Sequence, residues 1–155
     1  PKVIAQNLDK ISLGEFNNTV LSVMPGFEEH LGLQLEQLLL QNRPLLLQAL
    51  GISPIDVVHN GPYRQYPTKS QKGCQIDYLI QTTTKNLFVC EFKFRKRELT
   101  TDIINEMQDK IKSLKVPMGF ASVPVLFHLS GVSPVVATSL YFYRIIDIAD
   151  FLETA

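Results

Sequence analysis

No apolar run in this 155-residue chain approaches the ~20 residues needed to span a bilayer, and no signal-peptide pattern is present, so no membrane partner is expected. Cysteine is scarce. Cys74 and Cys90 are too few for a disulfide framework, which predicts a reducing, cytoplasmic setting. An excess of either charge is also missing. The 15 basic and 15 acidic residues cancel, whereas a protein that grips DNA unaided usually carries a basic surplus. His30, His59 and His128 show no metal-ligand spacing and read as structural or surface residues. No internal repeat, low-complexity tract or G-x-x-x-x-G-K-[S/T] phosphate loop occurs.

What is present suits one domain with a genuine core, with 45% hydrophobic and 19% charged residues. The charge is unevenly distributed. Glu15, Glu28, Glu29 and Glu36 make the first third acidic, while Arg64, Lys69, Lys72, Lys85, Lys93, Arg95, Lys96 and Arg97 make the middle basic. A basic patch is the usual surroundings of a phosphate substrate, and equally a plain solvated face.

The chain starts at Pro1 without an initiator methionine and reads as a fragment of something longer. Residues 1–25 show little periodicity and end at Pro25-Gly26, as a lead-in to the domain of residues 26–155. Leucines at 31, 35, 38, 39 and 46 predict helix from Phe27 to about Leu50, divided where Arg43-Pro44 interrupts it and stopped by Gly51. Ile55 to His59 reads as a short strand, and residues 60–73 as a loop. In that loop Tyr63 and Tyr66 beside Arg64 are either decoration or a base-stacking pair. A helix capped by Thr100 or Thr101 runs to about Lys115, with Ile103, Ile104, Met107, Ile111 and Leu114 as its buried stripe. Strands over Val123–Leu129 and Leu140–Ile146 and a closing turn over Asp147–Leu152 complete an α/β pattern, a central mixed sheet flanked by helices.

The most informative stretch is GCQIDYLIQTTTKNLFVCEFKF, residues 73–94. Two apolar runs flank a polar TTTKN, which predicts a β-hairpin. With Thr82–Asn86 as the loop, Gln81 faces Leu87, Leu79 faces Val89 and Asp77 faces Glu91. Alternation places Asp77, Glu91 and Lys93 on one face and Ile76, Tyr78, Ile80, Phe88, Cys90, Phe92 and Phe94 on the other. Leu79, Leu87 and Val89 share the charged face, so that face is expected to be covered. Opposed carboxylates repel, and a divalent cation between them would reverse the sign. Cys74 and Cys90 read as core residues.

An Asp on one strand followed by Glu-x-Lys on the next resembles the PD-(D/E)XK nuclease superfamily, of restriction-endonuclease-like fold; the matching residues are Asp77 and Glu91-Phe92-Lys93. The proline that often precedes the first acid is replaced by Ile76. A narrower likeness carries PGFEEHLGLQLEQLLLQN, QALGI, GCQIDYLI, FVCEFKF and MQDKI, and is similar to the C-terminal domain of archaeal and bacterial AAA-type ATPases. It implies that residues 1–25 join an absent ATPase and winged-helix region. It also implies a Mg²⁺ or Mn²⁺ ion held by Asp77, Glu91 and the Phe92 carbonyl, with Lys93 assisting the attacking water and Glu36 as an added helical acid. Lys110 matches a basic position of the late helix, with Gln108 nearby. Lys72, Arg95 and Lys96 are expected to grip a nucleic-acid backbone, DNA in the first instance. The expected function is a metal-dependent nuclease domain of a larger ATPase. The alternative is a catalytically silent domain that binds nucleic acid or docks on and regulates the ATPase. The leucine-rich helix also leaves room for a homo-oligomer.

Overall fold

Leucines recurring every three or four residues wind the first described segment into α1 (Phe27–Gln41), burying Leu31, Leu35, Leu38 and Leu39 along one stripe. The computed structural model describes residues 26–153, so the lead-in of residues 1–25 lies outside the described residues. Asn42 separates α1 from α2 (Arg43–Ala49), its Nδ2 donating to the Leu38 carbonyl at 2.8 Å. Pro44 falls in the first turn of α2, where a missing N–H costs little. The break expected at Arg43-Pro44 is therefore real, and it turns Leu46 and Leu47 onto the same core as α1.

After a 3₁₀ turn at Pro54–Asp56 come β1 (Val57–Gln65), β2 (Cys74–Thr82), β3 (Asn86–Lys93), α3 (Asp102–Ser113), β4 (Ala121–His128), α4 (Pro134–Thr138), β5 (Arg144–Asp147) and α5 (Ile148–Glu153). The five strands form one sheet in the order β1-β2-β3-β4-β5, antiparallel from β1 to β3 and parallel from β3 to β5. The molecule is thus α/β, with a mixed sheet flanked by helices. Leucines of α1 and α2 cover one face, against Tyr78, Ile80, Phe88, Cys90 and Phe127. Ile103, Met107 and Leu114 cover the other, against Ile76, Leu87, Val89 and Leu126. Each fully buried leucine contributes about 2 kcal/mol by leaving water.

Several expectations need correction. The first strand does not end at His59 but continues to Gln65 through Gly61 and Pro62, so the first part of the expected loop, residues 60–65, is strand. Pairing survives because the β1–β2 register shifts twice, between Val57 and His59 and between Gly61 and Tyr63. Thr101 precedes α3 without a side-chain cap; backbone carbonyls of Thr100 and Thr101 instead accept from Ile103 and Ile104. The run from Leu140 is not strand until Arg144, since Leu140 takes a φ of 58° that extended pairing forbids.

The loop between β1 and β2 is tied to the end of α3 through Gln65. Its Nε2 donates to the carbonyls of Lys72 and Ser113, both at 2.7 Å, and its Oε1 accepts from the Lys115 N–H at 2.7 Å. Gly73 closes this loop where a Cβ would lie 2.8 Å from the Gln65 carbonyl oxygen and 2.9 Å from Pro67 Cδ. Gly73→Ala is expected to lower stability by about 1–3 kcal/mol, as overpacking against backbone does. Urea denaturation of the variant tests this, with unchanged stability the contrary result.

Candidate active site

The hairpin register is the one expected over its paired length, with Gln81 opposite Leu87, Leu79 opposite Val89 and Tyr78 opposite Cys90. The ladder stops there, one residue short of an Asp77–Glu91 pair. On its other side, β2 sets both Asp77 and Tyr78 against the single residue Pro62 of β1, a β-bulge. The bulge reverses the alternation beyond it. Ile76 packs among the α3-side residues and Cys74 packs against them, not on the face of Tyr78 where strict alternation placed Ile76. Asp77 is correspondingly turned from the α3 face and lines a cavity of about 330 Å³ with Glu36, Gln37 and Leu40 of α1.

Where the strands part, Asp77 Oδ2 accepts the Phe92 N–H at 2.8 Å, taking a donor that β2 no longer satisfies. Glu91 stays on the α3 face, 9% exposed, and Lys110 Nζ donates to both its carboxylate oxygens at 3.0 and 2.8 Å. Lys93 Nζ lies 3.6 Å from Glu91 and 3.1 Å from Glu106. Lys93, Arg95 and Glu36 also line a second cavity of about 600 Å³, which shares Glu36 and Phe92 with the first.

Burial, then the Asp77 charge, push the Glu91 carboxyl above its ordinary range, against the opposing pull of Lys110 and Lys93. Burial, then Asp77 and Glu91, push Glu36 the same way. These acids therefore sense one another across the parting strands. A carboxyl raised in the folded state stabilises it below the unfolded value near 4.5 and loses that contribution as pH climbs through the folded value. The melting temperature is expected to fall as pH rises from the ordinary carboxylate range toward neutrality, and added Mg²⁺ is expected to restore part of the loss. A pH series of thermal melts with and without Mg²⁺ checks both signs.

Among the described residues, no group of three or more His, Cys, Asp or Glu side chains converges tightly enough to hold a metal ion. The donor chemistry nevertheless fits a hard divalent cation. Glu36 and Asp77 offer carboxylate oxygens to one cavity, and among the described residues Asp77 is engaged through Oδ2 alone, by Phe92. Glu91 and Glu106 are paired with Lys93 and Lys110, while Glu36 and Asp77 have no ion pair among the described residues.

Of the expected site residues, the structure brings together Asp77, Glu36, Phe92, Glu91, Lys93 and Lys110, the last as a partner of the acid. Arg95 reaches the wider cavity. Lys96 is exposed beside α1, where its N–H donates to Glu28. Lys72 is exposed on the Gln65-tied loop, and Gln108 is exposed on α3. Glu106 was missed: its partner is Lys93 on β3, a contact between distant segments that helix spacing does not signal. Cys90 is buried, with its thiol pushed far up by burial, and Cys74 is partly buried; both are free, as expected. His128 is structural, its Nδ1 accepting the Gly131 N–H at 3.1 Å, with burial pushing its pKa down.

Fold and site together define an α/β domain with an acid–lysine cluster where two sheet strands part. No family model, curated protein or solved structure matches the chain. No described helix is long and apolar enough to cross a membrane.

Proposed function

We propose that the chain is a metal-dependent nuclease domain of restriction-endonuclease-like fold, hydrolysing phosphodiester bonds of nucleic acid, DNA first. The observation that carries this is the meeting of Asp77 and Glu36 in one cavity with the Glu91–Lys93 pair beside it. In this reading Asp77 and the Phe92 carbonyl hold Mg²⁺ or Mn²⁺, Glu91 joins them by turning its carboxylate from Lys110 at the open end of the strands, and Glu36 takes a further cation or a bridging water. When bound, the cation supplies charge neutralisation at the phosphate and a more acidic water.

The protein's own share begins with Asp77, which the Phe92 N–H fixes in orientation. Lys93 touches Glu91 and also lines the open cavity, which supports a role in orienting the attacking water or meeting charge on the phosphate. Lys110 holds Glu91 from behind. The water oxygen forms the new bond to phosphorus, the bond to the leaving sugar oxygen breaks, the water's proton passes to solvent, and the leaving oxygen takes a proton from solvent. Arg95, Lys96 and Lys72 supply sequence-independent contacts to the backbone.

The second reading is a silent domain that binds nucleic acid or docks on an ATPase of the same polypeptide. One observation favours it: Lys110 occupies both oxygens of Glu91. Incubation with supercoiled plasmid and with single-stranded circular DNA separates the two. Nicking that requires Mg²⁺ or Mn²⁺ and stops with chelator is the expected result. Intact substrate under every cation condition would favour the silent domain.

A further inference from the structure

We infer that the loop between β1 and β2 and the end of α3 form one basic surface, assembled by Gln65, that receives the phosphate backbone of DNA beside the acid cluster. This rests on the nuclease reading for the place of the substrate and deepens it by naming the path the substrate takes. Lys72 was expected among the backbone contacts. Lys69, Lys112 and Lys115 join it because Gln65 ties together two segments 48 residues apart. Its Nε2 donates to the carbonyls of Lys72 and Ser113 and its Oε1 accepts the Lys115 N–H, all at 2.7 Å. Gln71 adds a second bond to the Ser113 carbonyl at 3.0 Å.

The charge there is of one sign. No Asp or Glu occurs between Asp56 and Asp77 or between Asp109 and Asp147, although acids and bases cancel over the whole chain. Lys69, Lys72, Lys112 and Lys115 are exposed, and none is in an ion pair among the described residues. Asp109, exposed one turn before Ser113, is the acid at the border. The dipole of α3 draws cations to its last turn and accounts for Lys112. It does not account for Lys69 and Lys72, which belong to another segment and reach that end only through the two glutamines. Four unpaired ammonium groups brought together repel, and a polyanion laid along them reverses the sign.

The surface adjoins the acids. Lys110 Nζ holds Glu91 at 2.8 Å, and Ser113 follows on the same helix, so the surface begins about one turn, ~5 Å, beyond the acid cluster. From Gly73, β2 reaches Asp77 over about 13 Å at ~3.3 Å per residue. Phosphates of one strand are spaced ~3.4 Å along a duplex axis, so backbone a few nucleotides from a phosphate held at Asp77 falls on the lysines. Contacts of this kind position the duplex and carry no base preference. Continuity with the acid cluster, where the nuclease reading holds a phosphate, favours a nucleic-acid backbone over an anionic lipid surface.

The test is fluorescence anisotropy of a short labelled DNA duplex titrated with the 155-residue protein, in chelator and over a range of salt. The wild type is expected to bind, with affinity falling as salt rises. Lys112→Glu and Lys115→Glu should each weaken binding about 10-fold at ~0.1 M salt and flatten the salt slope by about one. The same reversal at Lys85, exposed in the turn at the far end of β2, should change binding less than about 2-fold. Gln65→Leu keeps every charge but unties the loop, and should weaken binding about 2- to 10-fold, the cost of ordering it on binding. Thermal melts establish that each variant folds. No binding by the wild type, an equal loss in Lys85→Glu, or unchanged binding in folded Lys112→Glu and Lys115→Glu would overturn the surface. So would lysine-dependent binding of phosphatidylserine vesicles with none of DNA. Unchanged binding in folded Gln65→Leu would overturn its assembly by Gln65. Lysine-dependent DNA binding by a protein that cleaves nothing under any cation would support the surface and overturn the nuclease reading alone.

Discussion

Asp77→Asn is expected to reduce cation-supported DNA cleavage by about 10²-fold or more while leaving the melting temperature at neutral pH unchanged or slightly higher. Asp77→Ala is expected to lose cleavage and stability together. The difference follows from the two tasks of this carboxylate. Its Oδ2 accepts the Phe92 N–H at 2.8 Å, and its charge raises the pKa of Glu91 and Glu36. Asparagine keeps an acceptor for Phe92 and removes the charge that repels the neighbouring acids. Alanine leaves a part-buried donor unsatisfied, at a cost of about 1–3 kcal/mol. Cleavage assays and thermal melts on both variants check this. Equal melting of the two variants would show that the Phe92 bond does not hold the parted strands.

Lys110→Met carries the second large effect, and it falls on stability and on cation affinity in opposite directions. Lys110 is bonded to both oxygens of Glu91, with side chains 23% and 12% exposed, and Lys93 at 3.6 Å is the acid's other cation. Breaking a buried pair from one side costs about 3–5 kcal/mol, and the partial exposure with the surviving Lys93 brings the expectation to about 2 kcal/mol. Without Lys110, the Glu91 carboxyl is pushed further above its ordinary range. The deficit is therefore expected to grow as pH rises through that raised value and to shrink below the unfolded value. Denaturant unfolding at acid and at mildly alkaline pH reads the sign directly. The freed carboxylate should bind Mn²⁺ more tightly, so the cation should recover more stability in Lys110→Met than in wild type. A variant as stable as wild type at every pH would place the ion pair outside the structure's support.

The same residues show why the mixed α/β plan and much of the acid–lysine cluster were legible in the sequence. Alternation of apolar residues around TTTKN fixed the pairing of Leu79 with Val89, because a slip of one residue would send the buried set to the wrong face. Leucine spacing located α1 and, with it, Glu36. What stayed hidden depends on pairing between distant segments. The bulge at Asp77 is set by Pro62 across the sheet, and Pro62 with Gly61 reads locally as loop. Periodicity alone therefore put Ile76 on the wrong face and Asp77 on the face of Glu91. Residues 134–138 form a helix only five residues long, too short to show a period, started by the Ser133 hydroxyl accepting from Val136. Gln65 looks like any polar loop residue until Lys72, Ser113 and Lys115 are brought around it.

Calorimetric titration of Mn²⁺ into the wild type and into Asp77→Asn tests the central claim most directly. Saturable binding in the wild type that disappears in Asp77→Asn, with both proteins folded, is the predicted result. Absence of binding in the wild type, or identical binding in the two, would contradict a cation site built on Asp77 and with it the catalytic reading of this cluster.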